Sequence, residues 1–263
     1  METFVKTSIE DGIGQVVLNR PDKRNALTRD MIQQLQAGFD TLAQNDSLRL
    51  IVLKAEGSVF CAGMDLGEMQ DRALSNDGQA EWQKDSEVYA SCLQTIFEIE
   101  VPTIAVMQGP TLAGGVGMVL ACDFILASTE SFLMLPEPAR GITAAIVTPF
   151  LNFRVAPGIA NQLLLSGERM NAKRAYEVGL FYDSVAPGDL NARVDKLINA
   201  ILTGSRSALA ITKSHFQNCL PFDLKQQLLQ SIQISASARE TSDAREGLAA
   251  FIEKRKPAWN PQG

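Results

Sequence analysis

Ile104-Ala105-Val106-Met107-Gln108-Gly109-Pro110-Thr111-Leu112-Ala113-Gly114-Gly115 runs from an apolar, strand-like tetrapeptide into a turn of small residues. Ile51-Val52-Leu53-Lys54, continuing to Phe60-Cys61-Ala62-Gly63-Met64, takes the same course earlier in the chain. Each unit reads as strand, small-residue turn, helix. Small residues at such a turn let a ligand approach the backbone, and the helix start that follows offers N–H groups without intrahelical acceptors. A single Ala-Gly-Gly turn is equally well explained by close packing of helix on strand. Two of them, at similar spacing after their strands, point to a shared anion or oxyanion site. Neither has the Gly-x-Gly-x-x-Gly or Gly-Lys-Ser/Thr order of a nucleotide loop.

On the N-terminal side, Phe4 to Ile9 and Ile13 to Leu18 are strand-like runs joined by Asp11-Gly12, which predicts a hairpin. Thr28 is placed to cap a helix whose Met31, Leu35, Phe39 and Leu42 recur on one face. Leu50 to Leu53, Thr103 to Met107, Phe124 to Ala127 and Phe132 to Leu135 read as strands, and Ser86 to Ile99 as a helix with Val88, Cys92 and Ile96 aligned. This alternation predicts an α/β core. Beyond about residue 190 the strand signal ends, and helices separated by Gly204-Ser205, Pro221 and Thr241-Ser242 follow. The expected organisation is therefore a core over 1–190 and a helical region over 191–263. The polar stretch 71–85 reads as a loop, either covering a binding site or merely connecting.

The 263 residues, 46% hydrophobic and 21% charged, suffice for a sizeable core. A net charge of -6 argues against broad attraction to nucleic acid or an anionic membrane. No apolar run approaches the roughly 18 residues of a membrane span, and Met1 to Asp11 has no apolar signal region, so a cytoplasmic location is expected. Cys61, Cys92, Cys122 and Cys219 have neither disulfide-framework nor zinc spacing and read as reduced packing residues. His215, the one histidine, lies in a helical stretch without a motif around it and reads as a surface or packing residue.

Leu18-Asn19-Arg20-Pro21 with Asn25-Ala26-Leu27, then Phe60-Cys61-Ala62-Gly63-Met64-Asp65-Leu66, Gly109 to Asp123, and Pro136-Glu137 together resemble the crotonase (enoyl-CoA hydratase/isomerase) family in order and separation. The ending, Glu246 to Pro257, resembles the hydratase branch. The resemblance implies a spiral of ββα turns with C-terminal helices that build a homotrimer or a dimer of trimers. It also implies that the N–H groups of Met64 and Gly114 grip the carbonyl of an acyl-coenzyme A thioester. Ala26, Ala62, Asp65 and Leu66 would border the adenine end of coenzyme A, with Arg24 near its phosphates and Phe251 and Lys254 reaching a neighbour's adenine. An amphipathic terminal helix accounts for the last two equally well. Coenzyme A enters as part of the substrate, and neither a metal nor a redox cofactor is implied.

Hydratases of this family carry one glutamate three residues after the second oxyanion glycine and another in a Pro-Glu segment. Here the first position is Gly117 and the second is Glu137. A glycine inside a helix points to room for substrate or water, or to tight helix packing. Glu137 is the candidate general acid/base. The resemblance favours a hydratase, with Δ3-Δ2 enoyl-CoA isomerisation by Glu137 alone as the alternative and a non-catalytic acyl-CoA scaffold as the third reading. Arg140 reads as a surface ion pair or as the partner of a second substrate carboxylate. Glu68 and Asp71, near the first turn, read as solvent-exposed.

Overall fold

The computed structural model describes residues 2–73, 77–220 and 223–260. The Asp11-Gly12 turn forms the hairpin its sequence dictates: both residues take positive φ (49° and 79°), and β1 (Val5–Glu10) pairs antiparallel with β2 (Ile13–Leu18) from Val5↔Leu18 to Glu10↔Ile13. Thr28 accepts a hydrogen bond from the Met31 N–H and caps α1 (Arg29–Ala43), which buries Met31, Leu35, Phe39 and Leu42. Then come β3 (Leu50–Ala55), α2 (Leu66–Ala73), α3 (Gly78–Glu98), β4 (Thr103–Met107), β5 (Thr111–Leu112), α4 (Gly114–Ala121), β6 (Phe124–Ser128) and β7 (Phe132–Met134). The remainder comprises α5 (Thr148–Arg154), α6 (Pro157–Asn161), β8 (Met170–Asn171), α7 (Ala172–Glu177), β9 (Asp183–Val185), α8 (Leu190–Leu202), α9 (Arg206–Asn218), α10 (Leu224–Ala238) and α11 (Ser242–Ile252). The predicted helix break at Gly204-Ser205 falls between α8 and α9, and the one at Thr241-Ser242 marks the start of α11, which Thr241 caps. Pro221 lies outside the described residues.

The larger sheet has the order β1-β2-β3-β4-β6-β9 and is parallel from β2 onward. Its central strands are buried on both faces, as parallel strands are, and period-two alternation divides their side chains between two cores. Leu50, Val52, Ile104, Val106 and Leu126 pack against Leu190, Val194, Leu197 and Ile201 of α8. Ile51, Leu53, Ala105 and Met107 join the other cluster with Phe39 of α1 and Leu93 of α3. A smaller sheet, β5-β7-β8, joins the strand expected at Phe132 to Leu135 to two strands of two residues each, too short to leave a periodic signal. Among the described residues no helix is long and apolar enough to cross a membrane.

The loop expected over 71–85 is not one: α2 runs to Ala73 and α3 starts at Gly78, with residues 74–76 outside the described residues. The polarity belongs to a charged helix surface. Arg29 and Arg72 share Glu81 and Asp85 at 2.6 to 3.6 Å, and Arg72 also pairs with Glu68 at 2.9 Å. On its inner side the same stretch buries Trp82. Glu68 is therefore bound into this network and not simply solvated, whereas Asp71 is exposed.

Candidate active site

The two strand-turn units meet. Leu27 and Met64 form one isolated bridge and Cys61 and Thr111 another, while the Leu112 N–H donates to the Cys61 carbonyl at 2.9 Å. Gly63 (φ 91°) is in such close contact that a β-carbon there would stand 2.6 Å from Ala113 Cβ and 3.5 Å from the Gly114 nitrogen. Met64, the next residue, thus lies beside the start of α4. Ala113 is held at φ 49°, ψ −126°, a region costly for a residue with a side chain. The small sheet secures it: the Ala113 N–H donates to Met134 of β7 at 2.9 Å. Among the hydrogen bonds of the described residues, none uses the N–H of Met64 or of Gly114. Two unspent donors at adjoining turns are what an oxyanion needs.

Glu137 opens a 3-10 turn, Glu137–Arg140, set between Pro136 and Pro138, and the Ile142 N–H donates back to its carbonyl at 3.1 Å. Gly141 and Gly247 let α11 lie directly on this turn: a β-carbon at either would fall on the backbone of the other segment, at Asp243 or at Arg140. Glu137 is 7% exposed, and among the described residues its Oε2 has no hydrogen-bond partner. Burial pushes its pKa from 4.5 up to about 7, against smaller opposing effects of its own backbone N–H, Arg140 and Arg239. Glu137 shares a recess with Met64, Gly114, Tyr89, Arg140 and Arg239, among apolar residues that include Met69, Ile142 and Val147. A carboxyl titrating near neutrality, beside two free amides in a largely apolar recess, is equipped to move a proton next to a bound carbonyl.

Gly117 leaves no room for substrate. A β-carbon there would overlap the Tyr89 hydroxyl and come within 2.9 Å of Leu93 Cδ1. Tyr89, 3% exposed on α3, donates to the Gly114 carbonyl at 2.5 Å. Arg140 forms no ion pair among the described residues, contrary to the surface pairing its position suggested; its guanidinium lies 4.3 Å from the centre of the Phe251 ring. Arg239, at the end of α10, donates to Ser86 Oγ at 2.9 Å and faces the Trp82 ring. Tyr89 and Arg239 escaped the sequence reading. Tyr89 is one residue off the Val88-Cys92-Ile96 face, and its fit to Gly117 is a contact between distant segments that one sequence does not reveal. Arg239 caps the end of a helix that the sequence delimited only by its breaks.

The model of the enoyl-CoA hydratase/isomerase family matches residues 8–262. The chain belongs to that family. Relatives include mouse enoyl-CoA hydratase domain-containing protein 3, mitochondrial, 32% identical over 98% of this chain and 84% of its own. The crotonyl-CoA hydratase of Syntrophomonas wolfei is 28% identical over 94% of each chain. The crystal structure of an enoyl-CoA hydratase from Mycobacterium avium superposes with a TM-score of 0.86 at 29% identity, over 98% of this chain and all of that one. The α/β architecture is thus the crotonase-type fold, with its helical C-terminal region.

The residues that the family resemblance placed near coenzyme A are brought together in part. The Ala62 N–H donates to the Arg24 carbonyl at 3.0 Å, Leu27 to Gly63 at 2.8 Å, and Asp65 to Leu27 at 2.8 Å, so Arg24, Ala26, Ala62, Asp65 and Leu66 belong to one pair of crossing segments. Asp65 is occupied: it pairs with Arg20 at 2.6 Å and accepts the Gly67 N–H at 3.0 Å at the start of α2. Burial raises the Asp65 pKa, but Arg20 together with the Glu68 and Gly67 N–H groups outweighs it and holds the carboxyl below its ordinary value. Phe251 packs on Arg140 of its own chain, and Lys254 is exposed beyond it. His215 is exposed on α9, 3.8 Å from Cys219, which is also exposed and therefore not the core residue expected; the other three cysteines are buried.

Asn25 is the clamp of the first turn. Fully buried at φ 52°, it accepts the Arg20 N–H at 2.9 Å and donates to the Glu56 and Val59 carbonyls at 2.9 and 3.0 Å. Asn25→Ala leaves three backbone groups unpaired and is expected to cost about 1–3 kcal/mol in urea unfolding. A loss under ~0.5 kcal/mol contradicts the clamp.

Proposed function

We propose that the protein adds water across the double bond of a 2-enoyl-CoA thioester. The carrying observation is the buried, unpartnered Glu137 oxygen in the same recess as the free N–H groups of Met64 and Gly114. Glu137 as carboxylate takes a proton from water while the water oxygen bonds to C3. The electron pair of the C2–C3 double bond moves to the thioester oxygen, and the two amides stabilise this enolate more than they stabilise the ground-state carbonyl. Glu137 then returns a proton to C2. Arg24, Ala26, Ala62, Asp65 and Leu66 border the coenzyme A portion. The relatives named as hydratases support this direction.

A second reading rests on Glu137 being the one carboxylate that lines the recess among the described residues. One carboxylate suffices to carry a proton between C2 and C4, which is isomerase chemistry. Incubation with 2-enoyl- and 3-enoyl-CoA substrates in oxygen-labelled water, followed by mass analysis, separates the two. Label at C3 is expected. Interconversion of the enoyl isomers without label would replace hydration with isomerisation.

A further inference from the structure

We propose that the Tyr89 hydroxyl holds the water that adds to C3, so that a phenol and one carboxylate perform here the water positioning that a glutamate pair performs elsewhere in the family; this rests on the hydratase reading. The geometry assigns the hydroxyl a direction. A phenol has one proton to donate, and Tyr89 gives it to the Gly114 carbonyl at 2.5 Å. No other hydrogen bond reaches the Tyr89 oxygen among the described residues, so its lone pairs remain as acceptors at the wall of the recess that also holds Glu137. Water needs two acceptors to be oriented as a nucleophile. One proton goes to the Tyr89 oxygen and the other to the Glu137 carboxylate, which leaves an oxygen lone pair for C3.

Gly117 is the condition for this arrangement, because any side chain there would displace the hydroxyl. The phenol needs no proton transfer of its own: burial and the nearby Glu137 and cysteines raise its pKa well above 10, so it stays neutral. The proton count is closed by Glu137 alone, which accepts one from water and delivers one to C2. Tyr89 is thus a water-positioning residue. Its loss acts on hydration and not on enolate formation as such, since the enolate depends on the two amides and Glu137.

The test compares Tyr89→Phe with wild type in two assays: hydration of a 2-enoyl-CoA, and exchange of the C2 hydrogen of a saturated acyl-CoA in deuterated water. The ring is retained, and thermal unfolding reports whether the fold is. The expected result is a fall in hydration kcat of about 10- to 100-fold, with KM and C2 exchange each within roughly threefold of wild type. Gly117→Ala, which pushes the hydroxyl aside without deleting it, is expected to give the same split. Unchanged hydration in Tyr89→Phe overturns the proposal. So does an equal fall in hydration and exchange, which would place the effect of the hydroxyl on the oxyanion hole through Gly114. A wild type that exchanges C2 but hydrates no 2-enoyl-CoA contradicts the hydratase reading itself, and water holding with it. A hydrating wild type with an unaffected Tyr89→Phe contradicts only the role of Tyr89.

Discussion

Glu137→Gln is expected to lower kcat about 10³-fold with little change in KM, since Gln keeps the shape of the side chain but neither takes nor returns a proton. The pH profile carries the same signature. In the free enzyme kcat/KM should rise with pH through about 7, where Glu137 ionises, and the variant should lose that limb. Stability should move the opposite way. The carboxyl titrates at about 7 when folded against 4.5 unfolded, so its favourable contribution is complete below pH ~4.5 and is lost as pH rises through 7. At pH 8 an ionised carboxylate with an unpartnered oxygen is a cost of on the order of 3 kcal/mol, which Gln relieves in part. The variant is expected to be more stable than wild type at pH 8, by on the order of 1–3 kcal/mol, and not at pH 5. Equal turnover by the two proteins would remove Glu137 from the chemistry; intact ligand affinity with lost turnover supports an enzyme over a binding scaffold.

Removing the Gly114 N–H is expected to have the next largest effect. Gly114 is the first residue of α4, the helical position that tolerates proline, and a β-carbon there meets Tyr89 and Leu27 at an ordinary 3.5 to 3.6 Å. Gly114→Pro should therefore lower kcat about 10²- to 10³-fold, the loss typical of one oxyanion donor. Gly114→Ala keeps the N–H and should stay within roughly threefold of wild type. Circular dichroism and kinetics on the pair decide the matter. Equal losses in both variants would assign the effect to the added carbon and not to the missing hydrogen bond.

Much of this site is written locally. The strand-turn units, the Asp11-Gly12 hairpin and the Thr28 cap each rest on residues within a few positions of one another, and each is present in the fold. The family motifs extended that reading to Glu137, whose side chain lies in the recess lined by Met64 and Gly114. What the sequence hid is non-local. Gly117 left open both space and tight helix packing, because the ring that decides for packing comes from α3, and 71–85 read as a loop because its charges pair with one another and with Arg29. In the small sheet that fixes Ala113, β7 was legible as the run Phe132 to Leu135, whereas β5 and β8 are too short to show periodicity.

In the proposed reaction two backbone amides and Glu137 together make and quench an enolate. Its most direct measurement is deuterium exchange at C2 of a saturated acyl-CoA, followed by mass, for wild type, Glu137→Gln and Gly114→Pro side by side. Exchange by wild type is expected, with a loss of about 10²-fold or more in each variant. Exchange that survives both substitutions, or a wild type that binds the thioester and exchanges nothing, would contradict it.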